Sequence, residues 1–127
     1  MPHLKIDYTV NLDAHLDVPA LCTALCATLT GYRDDTGKNV FPLLGTRVLA
    51  APAPYFAVAD GAPDRAFVYL NLRLTPGRPQ ALLDAIGAAL LAEVERHLAP
   101  ITTLRSIRAT LHFDETPPSY EGKWASA

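Results

Sequence analysis

The sequence predicts a small α+β (α/β) fold, in which two successive β-α-β units share one mixed sheet and both helices lie on the same face. Two observations carry this. Alternating apolar residues mark strands, and an apolar repeat of every third or fourth residue marks one helix in each half. The order strand, helix, strand then occurs twice, over about residues 2–60 and 65–115 of a single domain spanning 1–127, which reads as an internal duplication. Each crossover joins parallel partners. A chain of 127 residues that is 50% hydrophobic is long enough to bury a real core.

The first strand covers Leu4 to Val10, with Leu4, Ile6, Tyr8 and Val10 on one side and Lys5, Asp7 and Thr9 on the other. A helix follows over Asp17 to Thr30. Asp17 suits its N-cap, Pro19 its first turn and Gly31 its end, and Leu21, Leu25 and Leu29 form its stripe. The polar stretch 33–39 is a loop. Strand character returns over Thr46 to Ala51, until Pro52-Ala53-Pro54 breaks it, and a short strand is expected at Tyr55 to Ala59. Asp60 to Asp64 is a turn cluster. Ala66 to Leu74 is the clearest strand, with Val68, Leu70, Leu72 and Leu74 on one face. Pro79 to Leu98 is a long helix burying Leu83, Ile86, Leu90, Val94 and Leu98. Ala99-Pro100 stops it, and Leu104 to Phe113 is the last strand. The tail after Glu115 carries Tyr120 and Trp124 but no period. With both helices on one side, the other sheet face is expected to be apolar and to need covering by other copies.

Composition excludes several classes. A net charge of −2 offers no electrostatic reason to bind nucleic acid. Apolar runs end well before the ~20 residues of a membrane span. The start reaches Asp7 without a signal-peptide core, so a cytoplasmic protein is expected. Cys22 and Cys26 stand four apart on one helix, a spacing open to redox or metal pairing. The four histidines, however, show no ligand spacing, so no metal is expected and core packing is the simpler role. Phosphate-loop and nucleophile-elbow motifs are absent. Gly77-Arg78-Pro79, at a strand-to-helix turn, offers an anion site or simply a turn.

The more specific feature is Met1-Pro2 running directly into a strand. Removal of Met1 would leave a secondary amine held at the edge of a sheet, although Met-Pro also opens many unrelated proteins. The segment Pro2-His3-Leu4-Lys5-Ile6-Asp7-Tyr8, with Asn11 beyond it, resembles the start of the 5-carboxymethyl-2-hydroxymuconate isomerases of the tautomerase superfamily. Phe41-Pro42-Leu43-Leu44-Gly45-Thr46-Arg47 resembles that family's arginine-bearing segment. Ala66 to Leu74 followed by Gly77-Arg78 is similar to its central strand and turn. Gly77-Arg78-Pro79 and Ala99 to Arg105 also resemble the short 4-oxalocrotonate tautomerases, which have half this length. The likeness runs to about Glu115, and the 33–39 loop and the tail fit it poorly.

This resemblance implies a tautomerase-like homotrimer that isomerises a polycarboxylate substrate without a cofactor. Pro2 is implied as acid and base, and Arg47 and Arg78 as binders of substrate carboxylates. Arg105 is implied as the second unit's counterpart of Arg47 in a structural role, and His3 as a supporting group. Arg73 and Arg108 are left to solvent or a subunit contact. The chemistry suits these residues. A buried amine near guanidinium groups loses its proton more readily, and the arginine fork donates paired bonds to a carboxylate. The competing expectations are a phenylpyruvate-type tautomerase, or a non-catalytic oligomeric binding protein if Met1 is retained.

Overall fold

The computed structural model describes residues 2–126. The element order is β1 (His3–Thr9), α1 (Val18–Thr30), β2 (Arg47–Ala53), β3 (Arg65–Arg73), α2 (Gln80–Leu98) and β4 (Ser106–Asp114). One four-stranded sheet has the order β2-β1-β3-β4. The pairs β1–β2 and β3–β4 are parallel, as a helical crossover requires, and β1–β3 is antiparallel, so the sheet is mixed.

Alternation decides which face is buried. Leu4, Ile6 and Tyr8 of β1 and Ala66, Val68, Leu70 and Leu72 of β3 are buried. Across the sheet they meet Leu21, Leu25 and Leu29 of α1 and the α2 stripe from Leu83 to Leu98 in one core. Truncating a fully buried leucine such as Leu4 or Leu72 to alanine would cost about 2–5 kcal/mol. The ends of α1 are set locally. The Asp17 carboxylate accepts the Ala20 N–H at 3.0 Å, and Pro19 sits in the first turn, where its missing N–H costs nothing.

Three expectations need correcting. β2 does not stop at Ala51 but runs through Pro52 to Ala53. It is an edge strand paired only with β1, so a residue lacking an N–H fits there. Residues 55–59 form no strand, and Tyr55 is 94% exposed. Nor is the open sheet face apolar. The register places Lys5, Asp7, Asn71 and His112 on it, and Lys5 binds Asp7 at 3.0 Å. Apolar area on that face therefore gives no reason for assembly.

The sheet has two dissimilar ends. The start of β1 lies between the start of β2 and the end of β3, since His3 pairs with both Arg47 and Arg73. Asp114, at the end of β4, is level with Arg73. The expected base and two arginines thus fall at one rim of the sheet. Among the described residues, no helix is long and apolar enough to cross a membrane. No group of three His, Cys, Asp or Glu among them is placed to hold a metal ion. Cys22 packs against the core, where burial, then the neighbouring Cys26, raises its thiol pKa.

Candidate active site

Pro2 is buried at the head of β1, and its carbonyl accepts the Arg47 N–H at 3.3 Å. The Pro2 carbonyl thereby extends the β1–β2 ladder one residue before the regular strand begins. Met1 lies outside the described residues. By strand alternation Pro2 shares the helix-covered side with Leu4, whereas Arg47 and Arg73 flank His3 on the open side.

A cleft of about 960 Å³ opens at this rim. Its floor includes Arg47, Arg73 and Leu74. One wall is the Pro42–Gly45 approach to β2, and the other is the tail from Thr116 to Ala125. The Arg47 guanidinium is exposed and makes no hydrogen bond or ion pair with the described residues. Arg73 is committed. It pairs with Asp114 at 3.2 Å and donates to the Thr116 carbonyl at 3.1 Å. The Thr116 backbone N–H and hydroxyl, and then the Arg73 charge, hold the Asp114 carboxyl below its ordinary pKa. Asp114 is therefore an anion that anchors the base of the tail.

Arg78 is placed differently. Gly77 takes φ of +111°, a conformation that side-chain-bearing residues rarely adopt, and turns the chain into α2. The Arg78 guanidinium then lies 5.0 Å from the centre of the buried Phe41 ring and donates to the Thr75 carbonyl at 2.8 Å. Neither Pro2 nor Arg78 lines the cleft, although Thr75 and Pro76 of the same turn and Pro42 beside Phe41 do. Within one chain, then, Pro2 and Arg47 are joined through the backbone, and Arg78 is held beside Phe41 and Thr75 outside the cleft lining.

Sequence reasoning missed the tail and Arg73 as parts of this cleft. The tail has no period to read, and the role of Arg73 depends on a partner 41 residues away. It also misplaced the second unit's counterpart of Arg47. The Ser106 N–H donates to the Asp64 carbonyl at 3.0 Å, matching the Arg47-to-Pro2 bond, so Ser106 holds that place and Arg105 precedes it.

A mixed four-stranded sheet made of two β-α-β units is the tautomerase-like fold. A fused 4-OT, described as a symmetric trimer, shares the fold with a TM-score of 0.61 at 20% identity, over 96% of this chain and 93% of that one. The 5-carboxymethyl-2-hydroxymuconate isomerase family model matches residues 2–126, and the chain belongs to that family. A crystal structure of a 5-carboxymethyl-2-hydroxymuconate delta-isomerase is 40% identical with a TM-score of 0.93, covering 98% of this chain and 89% of its own. The 5-carboxymethyl-2-hydroxymuconate Delta-isomerase of Escherichia coli is 27% identical over 123 residues, 97% of this chain and 93% of the relative. The chain is therefore an isomerase.

Proposed function

We propose that this isomerase tautomerises 5-carboxymethyl-2-hydroxymuconate, or a similar unsaturated 2-hydroxy polycarboxylate, with the Pro2 amine as its acid and base. The observation that carries the reading is the Arg47 N–H bond to Pro2. It ties a buried proline at a strand head to an arginine whose side chain opens into a cleft. Once Met1 is removed, the amine takes the proton of the 2-hydroxyl group and returns a proton to a carbon of the same conjugated system. The 2-hydroxy diene becomes its 2-oxo isomer with no change in composition, so one group serves for both transfers. Arg47 holds a substrate carboxylate and steadies the negative charge that develops on the dienolate oxygen. Arg78, which does not line the cleft of a single chain, is proposed as a second guanidinium that meets a substrate carboxylate in a pocket completed by a neighbouring chain.

We further propose a homotrimer in which neighbouring chains help to wall each pocket. Its supports are the two unpaired sheet edges, β2 and β4, and the exposed Leu43 and Leu44 in the approach to β2. Sedimentation should give three chains per particle, and a monomer at micromolar concentration would contradict the assembly.

The competing substrate is an aryl 2-oxo acid of the phenylpyruvate type, favoured by Tyr120 and Trp124 in the cleft wall. Kinetics of Arg47→Ala and Arg78→Ala on both substrates separate the two. The polycarboxylate reading expects each variant to lose more kcat/KM on the muconate-type substrate than on phenylpyruvate. Equal losses would favour the aryl acid.

A further inference from the structure

The tail beyond β4 forms no helix or strand, yet it is bonded into place. Arg73 holds both Asp114 and the Thr116 carbonyl, and the Thr116 N–H donates to the Asp114 carboxylate at 2.9 Å. Farther on, the Tyr120 ring lies against Gly122. A Cβ added there would fall 2.7 Å from the Tyr120 hydroxyl, so the absence of a side chain allows the ring to fold back. These contacts bring Lys123 and Trp124 into the wall of the cleft that holds Arg47.

The charges of this cleft are unequal. Arg73 is neutralised by Asp114, which leaves Arg47 on the strand side and Lys123 on the tail side as its cations. Among the described lining residues the one acidic group is Glu121, 3.4 Å from the Lys123 ammonium. That pair is exposed, with 71% of the Lys123 side chain accessible, so it is weak and readily exchanged. An anion with one carboxylate needs only Arg47. An anion with a second carboxylate can displace Glu121 and take Lys123 as well.

We propose that Lys123 is a specificity-determining substrate-binding residue, which receives the distal carboxylate of a polycarboxylate in exchange for Glu121. The proposal rests on the substrate class given under Proposed function, but not on Pro2 being the base. Trp124 is the one tryptophan of the chain and stands next to Lys123 in the same wall, so its fluorescence reports occupancy directly.

The probe is propane-1,2,3-tricarboxylate, which has no double bond to move, with propionate as the single-carboxylate control. The tricarboxylate should change Trp124 fluorescence saturably in the wild type and equally in Pro2→Ala. Lys123→Gln should raise its Kd about fivefold, the upper range for an exposed charge pair, and Lys123→Arg should restore it to within about twofold. Glu121→Gln should lower the Kd, because the internal competitor is gone. Propionate binding should not respond to Lys123→Gln. An unchanged tricarboxylate Kd in Lys123→Gln, or an equal loss for propionate, would overturn the assignment. Pro2→Ala that titrates like wild type yet stays fully active would refute the proposed base and leave the role of Lys123 standing.

Discussion

The two ends of the sheet share a backbone plan and differ in what their side chains are free to do. At one end the Arg47 N–H meets the Pro2 carbonyl at 3.3 Å; at the other the Ser106 N–H meets the Asp64 carbonyl at 3.0 Å. Each bond closes a parallel β-α-β unit at the corresponding place. The Asp64 end is sewn shut. Arg65 grips both carboxylate oxygens of Asp60 at 3.0 Å, and Arg105 donates to the Pro63 carbonyl at 3.2 Å. Asn11 donates to the Arg65 carbonyl at 2.7 Å, and the Thr9 hydroxyl oxygen accepts the Phe67 N–H at 3.1 Å. At the Pro2 end Arg73 and Arg78 are committed in this way, to Asp114 and to the Thr75 carbonyl, and Arg47 is left to face a cleft. The fold supplies the position twice, but Ser106 fills it in the second unit, and the arginines beside Ser106 are already bonded to Asp60 and to the Pro63 carbonyl.

The contrast can be broken by paired substitutions. The largest effect belongs to the strand heads. Pro2→Ala should lower kcat/KM by about 10²–10⁴-fold, the usual worth of a positioned acid/base group. Asp64→Ala should leave it unchanged, with circular dichroism showing both variants folded. Equal losses in the two would mean that the ends are not functionally distinct.

A smaller effect separates the arginines. Arg47→Ala should cost about 1.5–3 kcal/mol of transition-state binding, the range for a charged hydrogen bond. Arg65→Ala should leave kcat/KM alone and act on stability. Steady-state kinetics beside urea unfolding would read both, and an activity loss in Arg65→Ala would place chemistry at the wrong end.

The smallest effect sharpens the structural end. Two hydrogen bonds from Arg65, then the Ala62 N–H, hold the Asp60 carboxyl at a pKa of about 2 against an ordinary 3.8. Its contribution to stability is therefore fully present above about pH 4 and fades as pH falls toward about 2. Asp60→Asn should flatten that part of the curve of urea midpoint against pH. An acid limb as steep as in wild type would deny Asp60 its part in closing this end.

Much of the scaffold was legible because it obeys local periods. The alternation of Leu4, Ile6 and Tyr8, the stripe from Leu83 to Leu98 and the Asp17 cap are visible in short windows of sequence and lie where those windows put them. The exceptions depend on neighbours distant in the chain. Pro52 continues a strand because that strand has one partner, which its own residues do not reveal. The open face is polar because the residues between the apolar ones, such as Lys5 and Asp7, are themselves polar. Of the site, Arg47 could be picked out through the family-like segment before it, and it lies in the cleft. Arg78 over Phe41 joins residues 37 positions apart, a contact with no local signature. The tail wall was hidden for the same reason, since Arg73 and Asp114 anchor it from the ends of two strands.

The free amine proposed for Pro2 would exchange protons during turnover, and its nitrogen can be observed directly. Protein labelled with ¹⁵N-proline and made in its own cells should show one nitrogen that titrates, absent from Pro2→Ala. Its titration midpoint should coincide with the rising limb of kcat/KM against pH for the muconate-type substrate. In Arg47→Ala the nitrogen and the limb should move together to higher pH, because a repelling positive charge has gone. An active enzyme whose Pro2 nitrogen does not titrate, or titrates at a pH to which the rate is indifferent, would rule out Pro2 as the acid and base.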